Sequence, residues 1–274
     1  MRIRRRGTAF EVTDRMKDSP VDDEPRLHYQ PIVLLESGDV ISVEALLREE
    51  AAETIATDAE KNGKIFTLDR SILLRACRDA NEWRSKGLRD VAVHVNVSAL
   101  ELRSAKLLDA IDAALESSGL PTESLNVEIT ETSAVDDLKL AGRLLDELES
   151  RGVGCWLDDF GTGHSNLKWL RDLRVEGLKI PRELLPDSSA DERSRLIVRR
   201  TIEMAHELGM KVVAEGIETE EQIEFLRECR CDALQGYFFA EPVTAKELLA
   251  EVGRRKGERT ARDERSQIPR KEIR

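Results

Sequence analysis

The sequence predicts an α/β barrel that begins with a hairpin and continues as alternating strands and helices. Eight short apolar segments have the composition of strands, and from the second onward each is followed by a segment with the apolar spacing of a helix. Such alternation predicts parallel strands with right-handed crossovers. Eight strands in a chain of 274 residues predict a closed barrel of the TIM type.

The first two strands are expected to pair as a hairpin. They are predicted at residues 27–35 and 40–47, and Glu36-Ser37-Gly38-Asp39 forms the turn between them. A hairpin makes the first strand antiparallel to the second, which is unusual in a barrel of this type. Residues 49–61 are acidic and alanine-rich and predict a short exposed helix or a loop.

The rest of the chain alternates regularly. Further strands are predicted at 91–97, 125–130, 153–157, 176–180, 211–214 and 232–234. Helices are predicted at 68–83, 101–117, 136–150, around 167–173, and at 192–208, 219–228 and 244–252. Ser98 and Thr219 are the expected helix caps, and Gly87 and Gly209 the expected stops. An open doubly wound sheet is the alternative, but no Gly-x-Gly-x-x-Gly sequence follows any strand.

Composition divides the chain into one domain with two extensions. Residues 1–25 have mixed charge and no apolar period, which predicts a disordered lead-in. Residues 26–253 form the barrel domain. Residues 254–274 carry nine Lys/Arg against four Asp/Glu, which predicts a charged disordered tail.

Charge and cysteine content exclude several classes of protein. The net charge of −11 argues against a DNA duplex as a partner. The four cysteines are scattered and show no Cys-x-x-Cys spacing, so they indicate neither a zinc site nor a disulfide framework. No apolar run approaches the roughly eighteen residues of a membrane span. We therefore expect a cytoplasmic protein.

The most informative stretch is Asp158-Asp159-Phe160-Gly161-Thr162-Gly163. Successive residues of a strand point to opposite faces, so two adjacent acids fit the end of a strand better than its middle. Two acids at a strand-to-loop junction suit a hard divalent cation. Taken alone, such a stretch is more often a solvated acidic turn, and the rest of the chain decides between the two interpretations.

Polar side chains recur near the carboxyl ends of the predicted strands. These residues are Glu44, Asn96, Glu128, Asp158, Asp159, Lys179, Glu215 and Gln235. The strand ends of a barrel meet at one mouth, where active sites are built. Each residue alone has an ordinary structural explanation, such as helix capping or a surface ion pair, but eight separate explanations do not account for their convergence.

The ligand types indicate the chemistry. Four carboxylates (Glu44, Glu128, Asp158 and Asp159) and the Asn96 carboxamide, without His or Cys, suit Mg²⁺ or Mn²⁺ rather than zinc or copper. Because Mg²⁺ keeps several waters, five protein ligands indicate two ions that share an aspartate. Two such ions are the usual means of attacking a phosphodiester. Lys179 and Glu215 are the remaining ionisable groups that can steer the attacking water.

Seven blocks of the sequence resemble the EAL domain family between about Leu27 and Leu249. They are Tyr29-Gln30-Pro31-Ile32-Val33, Glu44-Ala45-Leu46-Leu47-Arg48, Val95-Asn96-Val97-Ser98, Glu128-Ile129-Thr130-Glu131, Asp158-Asp159-Phe160-Gly161-Thr162-Gly163, Ala214-Glu215-Gly216-Ile217-Glu218 and Gln235-Gly236-Tyr237. The resemblance implies a modified (β/α)₈ barrel with an antiparallel first strand. It also implies hydrolysis of cyclic di-GMP to linear pGpG with two Mg²⁺ or Mn²⁺ ions per site.

The resemblance also implies a role for each site residue. Glu44, Asn96, Glu128 and Asp158 match metal ligands, with Asp158 bridging to a second ion on Asp159. Lys179 matches the lysine near the attacking water, and Glu215, Glu44 and Gln235 match other residues of the catalytic and substrate site. Arg48 matches an arginine that contacts substrate phosphate. Glu131 matches a glutamate that steadies the loop after Asp159, a loop the family uses in dimer contacts, so we expect a homodimer.

Two departures from the family pattern keep a second function open. The chain has Lys179-Ile180-Pro181 where the family usually has Lys-Ile-Asp, and the segment after Arg48 is shortened. The alternative is therefore a catalytically weak or inactive receptor for cyclic di-GMP, or a protein-interaction module. Because the remaining residues are too few for a sensory domain, we expect control by a regulatory protein partner or by dimerisation.

Overall fold

The structure, a computed structural model, describes residues 25–48, 65–98, 101–104, 106–130, 138–162, 170–171, 173–188 and 190–253. The strands are β1 (Leu27–Leu34), β2 (Val40–Leu47), β3 (Ala92–Asn96), β4 (Leu125–Thr130), β5 (Gly154–Asp158), β6 (Gly177–Ile180), β7 (Lys211–Ala214), β8 (Ala233–Gln235) and β9 (Val243–Thr244). The helices are α1 (Ile65–Ser85), α2 (Lys106–Ser118), α3 (Leu138–Arg151), α4 (Glu192–Glu207), α5 (Glu220–Glu228) and α6 (245–253).

The first eight strands close into a barrel, as the alternation of strands and helices predicts. Strands β2 to β8 are parallel neighbours in chain order, and β1 closes the barrel by pairing antiparallel with both β2 and β8. The antiparallel first strand is thus confirmed. In the described part of the chain, no helix has the length and apolarity of a membrane span.

The interior of the barrel is built in layers because alternate residues of each strand face it. The layer at the mouth contains the polar residues near the strand ends. The layer below it is mixed: Ile32, Trp156, Val213 and Ala233 pack together there, next to the polar side chains of His94 and Asn126. A second and larger core lies between the sheet and the helices and includes Leu73, Ile111, Leu148 and Ile202. These two cores hold the strand ends in place.

The structure corrects two sequence predictions. The helix expected from Glu101 is split into a 3₁₀ turn at Glu101–Arg103 and helix α2, which begins at Lys106. The Ser104 side chain accepts a hydrogen bond from the Lys106 backbone N–H at 3.2 Å, so Ser104 caps a new helix. Ser98 contributes only its backbone carbonyl to the turn that starts at Glu101.

Strand β9 was not predicted, and Thr244 lies in it rather than in the last helix. Its two residues pair antiparallel with His28 and Tyr29 of β1. So short a segment carries no periodic signal, and only the partner strand makes it a strand. The expected cap at Thr219 is confirmed, because Thr219 and Gln222 form a capping box at α5. The expected stop at Gly209 is confirmed as well, because Gly209 follows α4 with φ +79°.

Candidate metal-binding active site

Lys179 lies at the centre of the barrel mouth, where its ammonium group contacts four carboxylates. Its Nζ lies 3.0 Å from Glu44 Oε2, 3.0 Å from Glu128 Oε2, 3.5 Å from Asp158 Oδ1 and 2.5 Å from Glu215 Oε1. The Lys179 side chain is 1% exposed. Strands β2, β4, β5 and β6 and the end of β7 therefore deliver their predicted residues to one point.

Two carboxamides complete the innermost part of the site. Asn96 Nδ2 donates to Glu44 Oε1 at 2.8 Å, and Gln235 Nε2 donates to Glu44 Oε2 at 2.8 Å. Gln235 Nε2 also lies 3.0 Å from Gln30 Oε1, and Gln30 Nε2 donates to the Ala240 carbonyl at 3.2 Å. Both oxygens of the Glu44 carboxylate are therefore fixed by donors from three different strands.

The carboxylates form two groups that could each hold a metal ion. The inner cluster is Glu44, Glu128 and Asp158, and the outer cluster is Asp158, Asp159 and Glu215. Within each group, one ligand oxygen per residue lies within 4.8 Å of the others. Asp158 belongs to both clusters, which is the arrangement expected of an aspartate that bridges two ions.

The backbone after Asp158 is bent to bring Asp159 to the mouth. Asp159 has φ +54°, and Gly161 has φ +96°. An L residue rarely adopts this left-handed region except Asn or Asp, whereas glycine enters it freely. The Phe160 N–H donates to the Lys179 carbonyl at 3.2 Å, which ties the start of this loop to β6. The second aspartate thus leaves the strand and faces the cavity.

Burial and charge act in opposite directions on Glu44 and Lys179. Burial favours a raised pKa for Glu44, but the Lys179 ammonium and hydrogen bonds from Gln235 and Asn96 lower that pKa to about 2. Burial acts to lower the pKa of Lys179, but the surrounding carboxylates raise it well above its usual value. Lys179 is therefore protonated and Glu44 ionised at neutral pH.

Three other carboxyl groups are harder to ionise than free ones, because a single ammonium does not offset their burial and mutual repulsion. Burial raises the pKa of Glu128 well above its usual range, and burial together with Asp158 raises the pKa of Asp159. Burial likewise raises the pKa of Glu215 to about 8. A buried group of acids with raised pKa values and only oxygen donors fits a divalent cation, whose charge would replace the missing positive charge.

A cavity of about 410 Å³ opens from these clusters to solvent. Its lining residues are Gln30, Glu44, Leu46, Asp158, Asp159, Pro181, Arg182, Glu183, Glu215, Gly216, Glu218, Gln235, Gly236 and Tyr237. Pro181 is buried at this wall, immediately before a 3₁₀ turn at Arg182–Leu184. Tyr237 is 59% exposed, so its ring is accessible to a ligand.

The structure brings eight of the ten predicted site residues together at the mouth. Of the other two, one lies away from the cavity and one lies outside the described residues. Glu44, Asn96, Glu128, Asp158, Asp159, Lys179, Glu215 and Gln235 all lie at the mouth. Arg48 is exposed at the end of β2 and does not line the cavity. Glu131 lies outside the described residues, as do the acidic segment at 49–61 and residues 163–166 of the loop expected to make dimer contacts.

Three residues without a sequence-predicted role contact the site. Gln30 accepts a hydrogen bond from Gln235, and His94 and Asn126 form a hydrogen-bonded chain that ends on Glu128. A signal was present for the last two, because His94 precedes Asn96 by two residues and Asn126 precedes Glu128 by two. Residues two apart share a face of a strand, so both had to lie directly below the mouth.

Comparison with known proteins identifies the family to which this barrel belongs. The EAL domain family model matches residues 14–242. The chain is 39% identical over 241 residues to the cyclic di-GMP phosphodiesterase NbdA of Pseudomonas aeruginosa, covering 85% of this chain and 31% of NbdA. It is 39% identical over 233 residues to the bifunctional diguanylate cyclase/cyclic di-GMP phosphodiesterase MucR of that organism, covering 82% of this chain and 34% of MucR. The protein belongs to the EAL domain family.

Solved structures agree with this assignment. The complex of the PaMucR phosphodiesterase with c-di-GMP aligns with a TM-score of 0.77 at 37% identity, covering 82% of this chain and 94% of that chain. The EAL domain of Mycobacterium smegmatis DcpA aligns with a TM-score of 0.74 at 31% identity, covering 84% of this chain and 96% of that chain. The chain spans about one third of the length of NbdA and MucR.

Proposed function

We propose that the protein is a cyclic-di-GMP-specific phosphodiesterase that hydrolyses cyclic di-GMP to linear pGpG. The observation that carries the proposal is the pair of carboxylate clusters that share Asp158 beside the open cavity. The similarity to NbdA and to the PaMucR phosphodiesterase supports the choice of substrate. Family membership supports a hydrolase, and the ligand geometry supports a two-metal reaction.

The inner cluster, together with Asn96, would hold one cation, and Asp158 and Asp159 would hold the other. Two bound Mg²⁺ or Mn²⁺ ions would stabilise the charge that develops on the attacking and leaving oxygens of a phosphodiester. Glu215 shares the outer cluster and is the additional acidic group available there. All of these ligands are oxygens, which is what both metals prefer.

The remaining residues orient the substrate and the attacking water. Lys179 Nζ contacts ligands of both clusters, so it would fix their relative positions. It would also present a positive charge near the attacking water. Glu215 lies in the outer cluster and is proposed to exchange a proton with that water. Gln235 and Arg48 are proposed to bind the substrate, and Glu131 to steady the loop after Asp159.

One observation favours the alternative of a receptor with weak or no catalysis. Pro181 lines the cavity beside the outer cluster, where a family member usually has an aspartate. Proline has neither a carboxylate nor a backbone N–H, so it can neither ligate a cation nor orient a water. The outer ion would be held more weakly as a result, which predicts slow hydrolysis and a raised metal requirement.

We propose the association state and cellular location separately from the reaction. A homodimer formed through the loop from Phe160 to Asn166 and the helix after it stays a prediction from family resemblance, and control by a protein partner stays a prediction from the sequence. A cytoplasmic location likewise stays a prediction from the sequence.

Two measurements on the purified protein separate the two functions. Cyclic di-GMP is incubated with Mg²⁺, Mn²⁺, Ca²⁺ or excess chelator, and pGpG is quantified by chromatography, while titration calorimetry in Ca²⁺ measures binding. The proposal predicts pGpG in Mg²⁺ or Mn²⁺ and none in Ca²⁺ or chelator, because Ca²⁺ coordinates at longer and looser distances. Binding without pGpG would favour the receptor, and full activity in chelator would contradict the two-metal reaction.

A further inference from the structure

Beneath the mouth, one hydrogen-bonded chain connects β4 and β3 to the inner cluster. Asn126 Nδ2 lies 3.1 Å from His94 Nε2, and His94 Nδ1 lies 2.8 Å from Glu128 Oε1. His94 is 1% exposed and Asn126 is 8% exposed. The register of the sheet explains the contacts, because His94 pairs with Asn126 and Asn96 pairs with Glu128.

The chain of hydrogen bonds defines which ring nitrogen carries the proton. A neutral imidazole ring has one donor and one acceptor nitrogen, and the two contacts of His94 use one of each. The Asn126 amide N–H donates to Nε2, which leaves Nδ1–H to donate to Glu128. Asn126 therefore selects the tautomer that holds the Glu128 carboxylate.

The two oxygens of Glu128 are then fixed from opposite sides. Oε1 contacts His94, and Oε2 accepts from Lys179 Nζ at 3.0 Å. A carboxylate has about four lone-pair positions, so two such contacts leave others for a cation. A carboxylate held at both oxygens cannot rotate about its terminal bond, and its free lone pairs keep one direction.

The space around Asn126 is made by Gly154 on β5. A side-chain carbon at Gly154 would overlap both Asn126 Oδ1 and Glu176 Oε2, so the absence of a side chain there makes room for the two side chains. On its other side, the His94 ring packs at a tilt against Trp156, with 5.3 Å between ring centroids.

We propose that His94 is a positioning residue that orients Glu128 for cation binding, with Asn126 fixing the tautomer of His94. This inference rests on the proposed metal-dependent function and assigns roles to two residues below the ligand layer. Hydrogen-bond partners outside the ligand layer typically change metal affinity by about 10–100-fold. The inner cluster should therefore lose affinity when the chain is cut, although every ligand remains.

The test compares Mn²⁺ affinity by electron paramagnetic resonance in four full-length proteins. His94→Phe keeps a ring against Trp156 but removes the donor to Glu128, and His94→Asn keeps a donor near the Nδ1 position. Tyr29→Phe is the matched control, because Tyr29 OH donates at 2.7 Å to the buried Asp79 carboxylate outside the site. We expect His94→Phe to weaken Mn²⁺ binding at the tighter site by about 10–100-fold, with much of the loss recovered in His94→Asn and no change in Tyr29→Phe.

A second readout does not need the metal. Nitrogen NMR of the metal-free wild type should show a neutral His94 with its proton on Nδ1, and Asn126→Leu should shift that ring toward a mixture of tautomers. Should His94→Phe not fold, Mn²⁺ binding by Asn126→Leu decides, because weakened binding supports the proposal and wild-type binding overturns it.

The outcomes separate this inference from the proposed function. Wild-type Mn²⁺ affinity in a folded His94→Phe overturns the role of His94 and leaves the proposed function intact. Equal losses in His94→Phe and Tyr29→Phe also overturn it, because they would indicate general destabilisation. If the wild type itself binds no Mn²⁺, the proposed metal reaction fails and the inference fails with it.

Discussion

The inner and outer clusters share Asp158 but are built differently. The other two inner residues, Glu44 and Glu128, have side chains 8% and 0% exposed and lie within regular strands. In the outer cluster, Asp159 is exposed and Glu215 is 19% exposed, and both lie just beyond the ends of their strands. Sheet pairing determines the inner positions, whereas loop conformation determines the outer ones.

The difference teaches where this protein can vary without losing its fold. Glu44 and Glu128 each have donors at both carboxylate oxygens, from Lys179 and from Asn96, Gln235 or His94. The outer cluster borders Pro181 and the bent segment that begins at Asp159. We therefore expect inner substitutions to change both stability and metal binding, and outer substitutions to change mainly metal requirement and rate.

Asp158→Ala should have the largest effect because Asp158 belongs to both clusters. Substituting a residue that only hydrogen-bonds to a metal ligand typically lowers metal affinity or activity by about 10–100-fold. Loss of a ligand that belongs to two clusters should lower kcat further, by at least about a thousandfold. Circular dichroism should show an unchanged fold, since Asp158 is at the end of β5. Asp187→Ala, an exposed acid outside the cavity, is the control. Wild-type turnover in Asp158→Ala would contradict the bridging role.

Lys179→Met tests whether the buried Lys179 ammonium stabilises the carboxylates of the inner cluster. Removing one partner of a buried ion pair typically costs about 3–5 kcal/mol, so the free energy of unfolding of the metal-free protein should fall by that amount. Saturating Mg²⁺ should restore part of the loss, because it supplies positive charge at the same place. Lys211→Met is the control, since this lysine is 63% exposed and lies 3.7 Å from Glu176. Equal losses in both variants would refute the distinction.

Tyr237→Ala tests whether the outer rim holds the bases of the substrate. Stacking of a base on an aromatic ring is worth about 1–3 kcal/mol, so KM for cyclic di-GMP should rise about tenfold with little change in kcat. Phe238 offers a matched control, because it is 46% exposed on the same loop but does not line the cavity. Tyr237→Phe should behave like the wild type. Similar KM changes in Tyr237→Ala and Phe238→Ala would exclude stacking on Tyr237.

Pro181→Asp tests whether Pro181 weakens metal binding at the outer cluster. A carboxylate at this wall of the cavity should lower the half-saturating Mg²⁺ concentration by about tenfold and raise the rate. The backbone accepts the change, since Pro181 has φ −72°. Pro181→Asn has the same size without the charge and should give no gain. If Pro181→Asp folds and leaves both quantities unchanged, Pro181 only shapes the loop and the argument for weak catalysis is removed.

The buried Glu101 carboxyl group should make the stability of the protein depend on pH but not on metal. Burial, with the neighbouring Asp69, raises its pKa from the ordinary 4.5 to about 9. The folded protein then binds more protons than the unfolded one, so this contribution to stability is present below about pH 4.5 and is lost as pH rises through about 9. Glu101→Gln should flatten the decline in melting temperature over this range, with or without Mg²⁺. An unchanged pH profile in Glu101→Gln would contradict the assignment.

Residues at strand ends could be predicted from the sequence because their position follows from chain order. Alternation of strands and helices places Glu44, Glu128 and Asp158 at one mouth before any coordinate is known. The antiparallel β1 followed from the turn at Glu36–Asp39 for the same local reason.

The unpredicted features depend on contacts between distant segments. His94 acts on Glu128 only through the register of β3 against β4, and β9 exists only because β1 offers an edge. The start of α2 depended on the Ser104 cap, which competes with continuation of the helix from Glu101. Burial of Lys179 among four carboxylates likewise needs the closed barrel, since a lysine at a strand end is ordinarily solvated.

The number of Mn²⁺ ions bound per chain at saturation tests the shared-aspartate arrangement most directly. Electron paramagnetic resonance of the wild type, with and without cyclic di-GMP, counts the bound ions and detects magnetic coupling between neighbours. We predict two coupled ions in the wild type and the loss of coupling in Asp158→Ala. One uncoupled ion in the wild type, or two coupled ions that persist in Asp158→Ala, would contradict it.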